Sequence, residues 1–382
     1  MKEFTTTAVS PDSTATTRSK TIPLFKVHVP PRERLMPRLE SVLYSGQIGD
    51  GEIVKQFEME FGRFIGNPHA LAVSSGTAAL HVGLLLAGVG PGDEVISTPM
   101  TAEPTNMAVL HTGATLVWAD VDADSGNMSP ESLVRKITPR TKAIVVVHYA
   151  GVPVRLKEIA AIAASHGVPI VEDAAHALGA RYDGAKIGNH SEYVIFSFQA
   201  IKHMTTGDGG MLLCRREQDL PHGRRLRWFG IDRAQPRTTV NVEHVGYKYN
   251  TNNVTAAFGL AQLDTIEPVI QRHMDNGDFF ERTFAGVSGL RVCSYDSVAR
   301  PAHWLYTVLA ERRDDLARWL TERGVDCSLV HRRNDLHPVF ASARCELPVL
   351  VAYSSRMLHI PCGWWVGDED REYIADCIRA GW

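Results

Sequence analysis

The sequence predicts an α/β fold, with a mostly parallel sheet flanked by helices in a large domain and a smaller C-terminal α+β domain. Three observations carry this. Several apolar runs between residues 70 and 214 are continuous in Val and Ile, the mark of strands buried on both faces. Small-residue turns and helix-spaced apolar residues lie between those runs. After about residue 252 the alternation gives way to a long helical pattern and then to mixed short elements.

In chain order, the first strand is predicted at Ala70–Val73. Ser74-Ser75-Gly76-Thr77 follows, then Ala78, Ala79, Leu80, Val82, Leu84 and Leu85 at helical spacing. Further strands are predicted at Glu94–Ser97, Thr115–Asp120, Ala143–His148, Pro169–Glu172, Tyr193–Phe198 and Met211–Cys214. Leu156–His166 reads as a helix closed by Gly167. A long helix is predicted from Asn253 towards Phe284, bent or interrupted at Pro268, and another over Asp314–Arg323, ending at Gly324. The domains are placed at 23–262 and 263–382, after a leader over 1–22 whose Ser/Thr-rich stretch, without aromatic residues or apolar periodicity, predicts disorder. Gly88-Val89-Gly90-Pro91-Gly92 is not a dinucleotide fingerprint, because it follows a helix and precedes a strand.

Of the 382 residues, 44% are hydrophobic and 22% charged, and the net charge is −3, which gives no electrostatic reason to expect nucleic acid. No apolar run is long enough for a membrane span, and six scattered cysteines without a C-x-x-C pair favour a reducing compartment, so the cytoplasm is expected. His331 and His337 are not at metal-helix spacing, and no metal is assigned. The basic run Arg224, Arg225, Arg227, Arg233, Arg237 is either a solvated face or a contact for a diphosphate.

The chemistry is carried by Ser197-Phe198-Gln199-Ala200-Ile201-Lys202 and, upstream, Glu172-Asp173-Ala174-Ala175-His176. An amine nucleophile and an acid, each just after an apolar run, suit a pyridoxal phosphate enzyme. The lysine would form a Schiff base with the cofactor aldehyde, and the acid would keep the pyridine nitrogen protonated. Asp173 at a strand end would face the ligand crevice of a parallel sheet; its other reading is a helix cap. Gly76 and Thr77 at a strand-to-helix junction offer backbone N–H groups to a phosphate, or form a plain cap. His176 could donate to the ring's phenolic oxygen. Gly207-Asp208-Gly209-Gly210 would let the backbone turn sharply and approach another chain closely.

These runs, with Ser75-Gly76-Thr77-Ala78-Ala79-Leu80, Thr205-Thr206-Gly207-Asp208-Gly209-Gly210 and Gly246-Tyr247-Lys248-Tyr249, resemble the DegT/StrS-type sugar aminotransferases, a fold-type-I pyridoxal phosphate family, from about residue 23 to the end. The resemblance implies Lys202 as Schiff-base lysine and proton carrier, Asp173 on the pyridine nitrogen, His176 on the ring oxygen, and Gly76, Thr77 and Ser197 on the phosphate. It also implies a homodimer in which Lys248, at a position where Asn is more usual, reaches the neighbouring subunit's phosphate.

Two departures stand out. Ala102 occupies the place of the ring-stacking aromatic, for which Met100 or a nearby aromatic is the candidate replacement. Asn250 occupies the place of the family's Arg, for which Arg227 and Arg332 are candidates on the donor carboxylate. His331, Arg333, Asn334, Asp335, His337, Trp364 and Trp365 could shape a substrate pocket or belong to an ordinary loop and a packed tryptophan pair. The implied reaction is transamination from an amino acid such as L-glutamate to a keto-sugar, NDP-linked. The alternatives are a cyclitol ketone aminotransferase, a PLP-dependent sugar dehydratase with His in place of the lysine, or a noncatalytic PLP-binding regulator.

Overall fold

The computed structural model describes residues 21–233 and 235–382. The leader expected over 1–22 therefore lies, up to residue 20, outside the described residues. Ile22 itself is buried and its backbone pairs with Val325, because it joins the apolar cluster of Phe280, Phe284, Val308 and Leu316.

Helices α1 (Arg32–Tyr44) and α2 (Glu52–Ile65) precede β1 (Ala70–Val73) and α3 (Gly76–Leu86). Then follow β2 (Glu94–Ser97), α4 (Glu103–His111), β3 (Thr115–Trp118), α5 (Pro130–Lys136), β4 (Thr141–Val147), α6 (Leu156–His166) and β5 (Ile170–Asp173). A hairpin of β6 (Arg181–Tyr182) and β7 (Ala185–Lys186) leads to β8 (Tyr193–Ser197) and β9 (Gly210–Cys214). These build a seven-stranded sheet in the order β1-β9-β8-β5-β4-β2-β3. All pairs are parallel except those of β9, which runs against both its neighbours. The strands of this sheet are almost wholly buried, which is why their sequences read as unbroken apolar runs.

Beyond α7 (Leu220–Leu226) lie α8 (Asn253–Leu263) and α9 (Ile266–Phe284). The interruption of the long helix falls at Asp264–Thr265, not at Pro268. Pro268 occupies the third position of α9, where a helix has no acceptor for its N–H, so proline costs nothing there. The rest is an antiparallel sheet, β10 (Leu290–Val292), β12 (Tyr306–Ala310) and β13 (Met357–Ile360), covered by α10 (Arg313–Glu322) and α12 (Asp368–Arg379), with β11 (Ala299–Arg300) paired to β6. The helix expected at 314–323 is thus found one residue earlier. No helix among the described residues is long and apolar enough to cross a membrane.

β3 stops at Trp118, short of the predicted Asp120. The Asp120 carboxylate instead accepts the N–H groups of Val349 (3.1 Å) and Leu350 (2.8 Å), the open start of α11 (Pro348–Arg356). Asp120 thereby ties the large sheet to the C-terminal segment.

Arg227 is a second such tie. It is buried, and its Nη1 donates to Glu58 Oε1 (2.5 Å) and Ala72 O (2.6 Å), joining α7's end to α2 and β1. The expectation that it meets a substrate carboxylate is overturned: the guanidinium is consumed where it could not leave Glu58 unpaired in the core. Breaking such a buried pair typically costs about 3–5 kcal/mol. Urea unfolding of Arg227→Ala should show a loss of that size; an unchanged midpoint would mean that the pair adds nothing to stability.

Candidate active site

A cavity of about 350 Å³ opens at the C-terminal ends of β4, β5 and β8. The first turns of α3 and α4 and the segment bearing His331 complete its wall. This is where an open parallel sheet binds ligands. Lys202, Asp173, His176, Gly76, Thr77, Ser197 and His331, all expected on sequence, line it together.

Asp173 is the last residue of β5 and is buried. No helix follows it, so the cap reading fails. Its Oδ2 accepts the Thr105 hydroxyl at 2.7 Å and its Oδ1 accepts the Ala175 N–H at 3.0 Å. Burial pushes its carboxyl up, and the two hydrogen bonds and the charge of Lys202 only partly offset this. A protonated pyridine nitrogen is the kind of cation that would satisfy it.

Lys202 lies in the turn between β8 and β9, with Nζ 3.9 Å from the centroid of the Trp304 ring. Burial lowers its amine to about 7, against a raise from Asp173. A large share of these amines is therefore neutral at neutral pH, as a nucleophile and proton carrier requires. His176 stacks on the same indole, its ring centroid 3.9 Å from that of Trp304 and inclined by 16°. Burial first, then Lys202, holds it well below the usual imidazole range. Its Nδ1 is buried without a protein partner.

The anion cradle rests on close approach. Ser75 caps α3, its Oγ accepting Ala78 N–H at 3.0 Å. The N–H groups of Gly76 and Thr77 make no hydrogen bond among the described residues. A Cβ on Gly76 would stand 2.9 Å from Ser197 Cβ, and one on Gly210 would stand 2.4 Å from Ser75 O. Glycine at both positions lets the helix start, the Ser197 hydroxyl and the β9 backbone converge. The geometry fits a phosphate at the helix N-terminus, and with Asp173, His176 and Lys202 it fits pyridoxal phosphate.

Other expected residues lie elsewhere. Met100 is buried in the core and does not line the cavity, so it does not replace the missing aromatic; Ala102 leaves that wall open. Arg332 is exposed, and neither it, Arg227 nor the other arginines of the basic run reach the lining. Arg233 pairs with Asp50 instead. Lys248 is exposed, with Nζ 3.9 Å from the Trp228 ring and 2.8 Å from Asn250 Oδ1. Trp364 and Trp365 form a packed edge-to-face pair, Trp365 donating to Pro23 O at 2.8 Å. Arg333 is forked onto Asp335, and His337 faces Glu103 at 3.2 Å. Among the described residues no group of three His, Cys, Asp or Glu is placed to hold a metal ion.

Sequence reading missed Thr105 and Trp304. Thr105 lies in the first turn of α4 and its hydroxyl is 2.7 Å from that of Thr101, which precedes the helix, so no helical periodicity links the two in the sequence. Trp304 reaches the site only through tertiary folding, its Nε1 donating to Ile201 O at 2.8 Å.

Comparisons with known proteins agree with this geometry. The DegT/DnrJ/EryC1/StrS aminotransferase family model matches residues 31–379. The spore coat polysaccharide biosynthesis protein SpsC of Bacillus subtilis (strain 168) is 34% identical over 355 residues, covering 88% of this chain and 91% of that protein. The crystal structure of the sugar aminotransferase CalS13 from Micromonospora echinospora superposes with a TM-score of 0.91 at 38% identity, covering 94% of this chain and 100% of that one. A Streptococcus pneumoniae protein described as a sugar aminotransferase, Spr1654, in its PLP form, superposes with a TM-score of 0.86 at 25% identity, covering 94% and 98%.

The titration of Lys202 is directly testable. In cofactor-free protein its reaction with an amine-acylating reagent, read by peptide mass spectrometry, should reach half its plateau rate near pH 7. Surface lysines should keep gaining to about pH 10. A half-point near theirs would contradict the burial argument. With a lysine, an acid and an anion cradle meeting at the strand ends, and the family model covering nearly the whole chain, this protein belongs to the DegT/DnrJ/EryC1/StrS aminotransferase family and is a pyridoxal phosphate-dependent aminotransferase.

Proposed function

We propose that the protein moves the amino group of L-glutamate to a keto-sugar carried on a nucleoside diphosphate, in amino-sugar biosynthesis, as a homodimer with its active sites at the subunit interface. The observation that carries the transamination is the depressed Lys202 amine facing Asp173 within one cavity. The sugar class is supported by the relatives, among them a sugar aminotransferase and a polysaccharide biosynthesis protein. The nucleotide carrier and the donor rest on the family resemblance.

Pyridoxal phosphate supplies an electron sink for negative charge on the carbon that loses its proton. The N–H groups of Gly76 and Thr77 and the Ser197 hydroxyl would hold its phosphate. Asp173 would hold the proton on its ring nitrogen, and His176 would meet its ring oxygen. Lys202 Nζ, when neutral, can take the proton from the donor's α-carbon and, in the second half of the cycle, deliver one to the acceptor's carbon. The stacked Trp304 and His176 rings keep water from that amine on one side. His203, the residue after Lys202, points into the core, where its Nε2 lies 3.0 Å from Ala302 O. That disfavours the dehydratase reading, which needs a histidine in the lysine's place.

Purified protein should show a visible cofactor band that bleaches on adding L-glutamate, and a nucleotide-linked keto-sugar should restore it. Lys202→Ala should lower turnover about 10²- to 10⁴-fold; full turnover would sink the assignment. A panel of keto-sugars and cyclitol ketones with and without the diphosphate decides the acceptor class.

Exposed and away from its own cavity, Lys248 suits a contact with the neighbouring subunit's phosphate. Lys248→Ala should weaken cofactor binding about 10-fold, the worth of one charged hydrogen bond. Sedimentation should give a dimer for both proteins. A monomeric wild type, or an unchanged cofactor affinity, would refute this assignment.

A further inference from the structure

His331 stands on the segment that enters the cavity from β13's side. The segment is fastened at two buried points. On one side the Tyr149 hydroxyl donates to the Val330 carbonyl, immediately before His331. That hydroxyl also lies 3.0 Å from His359 Nε2, and His359 Nδ1 lies 3.0 Å from the Thr307 hydroxyl. The three groups can be satisfied in one direction only. Tyr149 gives its single proton to Val330, so it must accept from His359 Nε2–H. His359 Nδ1 must then accept from Thr307. On the other side Asn334, fully buried, takes Asn106 Nδ2 at 2.8 Å on its Oδ1 and gives its Nδ2 to Thr101 O at 2.9 Å. Its backbone N–H donates to Pro99 O at 3.0 Å. Asn106 neighbours Thr105, the residue that holds Asp173.

Between these anchors the His331 ring lines the cavity, parallel to His176 within 17° at 5.9 Å. Its Nε2 is buried with no protein partner. A buried ring nitrogen at a ligand cavity calls for a ligand group. Burial, then Lys202, lowers His331 to about 4, so at neutral pH it brings a hydrogen bond and no charge. A neutral imidazole suits a hydroxyl better than a carboxylate. Beside its reacting carbon a sugar ketone carries a ring carbon with a hydroxyl, whereas glutamate carries a carboxylate and a methylene.

We propose that His331 hydrogen-bonds the acceptor's hydroxyl next to the ketone, and that Tyr149 and Asn334 are positioning residues that hold it there. This rests on the aminotransferase reading above and adds to it a residue that distinguishes acceptor from donor.

The test compares single-turnover half-reactions followed by the cofactor spectrum. In His331→Ala the kcat/KM for the acceptor should fall about 10- to 100-fold more than that for glutamate, and His331→Gln should recover part of the difference. Tyr149→Phe should give a smaller loss of the same selectivity. Combined with His331→Ala it should add nothing to that selectivity, since it acts through the same ring. Equal slowing of both half-reactions in His331→Ala, or slowing of neither, overturns the role of His331. Additive selectivity losses in the double variant overturn the role of Tyr149. If wild type reacts with glutamate but with no nucleotide-linked sugar, the carrier reading fails separately. The same comparison is then made with whichever free keto-sugar or cyclitol ketone it accepts, and the same selective loss is required.

Discussion

The site depends on bringing an amine and a carboxylate out of water together. Burial alone would neutralise both: it pulls the Lys202 amine down and pushes the Asp173 carboxyl up, and each charge only partly restrains the other's shift. The protein places Asp173 with two hydrogen-bond donors, so that its charged form is stabilised, and sets the Lys202 Nζ over an indole face. An asymmetry follows. The acid is built to remain an anion once a cation arrives, and the amine is built to shed its proton.

That electrostatic arrangement needs a steric one. Asp173 and Ser197 are at the ends of parallel neighbours β5 and β8, so both face the same end of the sheet. The start of α3 must then come down onto Ser197, and the returning strand β9 must pass under Ser75. Gly76 and Gly210 are where a side chain would collide. A substitution at either would separate the phosphate cradle from the lysine turn, although neither glycine has a side chain that could contact a ligand. The glycine-rich turn was expected to approach another chain; within this chain its close approach, at Gly210, is to Ser75 and Gly76.

The sheet was legible because strands buried on both faces carry their burial in local sequence. α6 was found at its bounds for the same kind of reason: Gly167 closes it in a left-handed conformation, φ 65°. Local signals failed where a long-range partner decided the outcome. Asp120 read as strand but leaves it to cap α11. Pro268 read as a helix breaker but sits where its missing N–H is harmless. Arg227 read as a free cation until the fold placed Glu58 beside it. In the site, the lysine, acid, histidine and helix-start residues were legible from motif spacing. Trp304, Thr105 and the Asn106–Asn334 pair were not, since the last joins residues 228 positions apart and leaves no periodicity to read.

The same division marks which side chains are finished by the fold and which await a ligand. Thr105, Asn334 and Tyr149 have their polar groups engaged by protein atoms. Among the described residues lining the cavity, the buried polar atoms without a partner are His176 Nδ1 and His331 Nε2. Unpaired buried nitrogens are costly, and cavities that keep them do so where binding supplies the missing group. One lies in the motif that the resemblance assigns to the cofactor. The other lies in a loop clamped between the two sheets, close enough to Lys202 to feel its charge. Cofactor binding would answer the first, so the second is where a substrate can be told apart by its own polar groups.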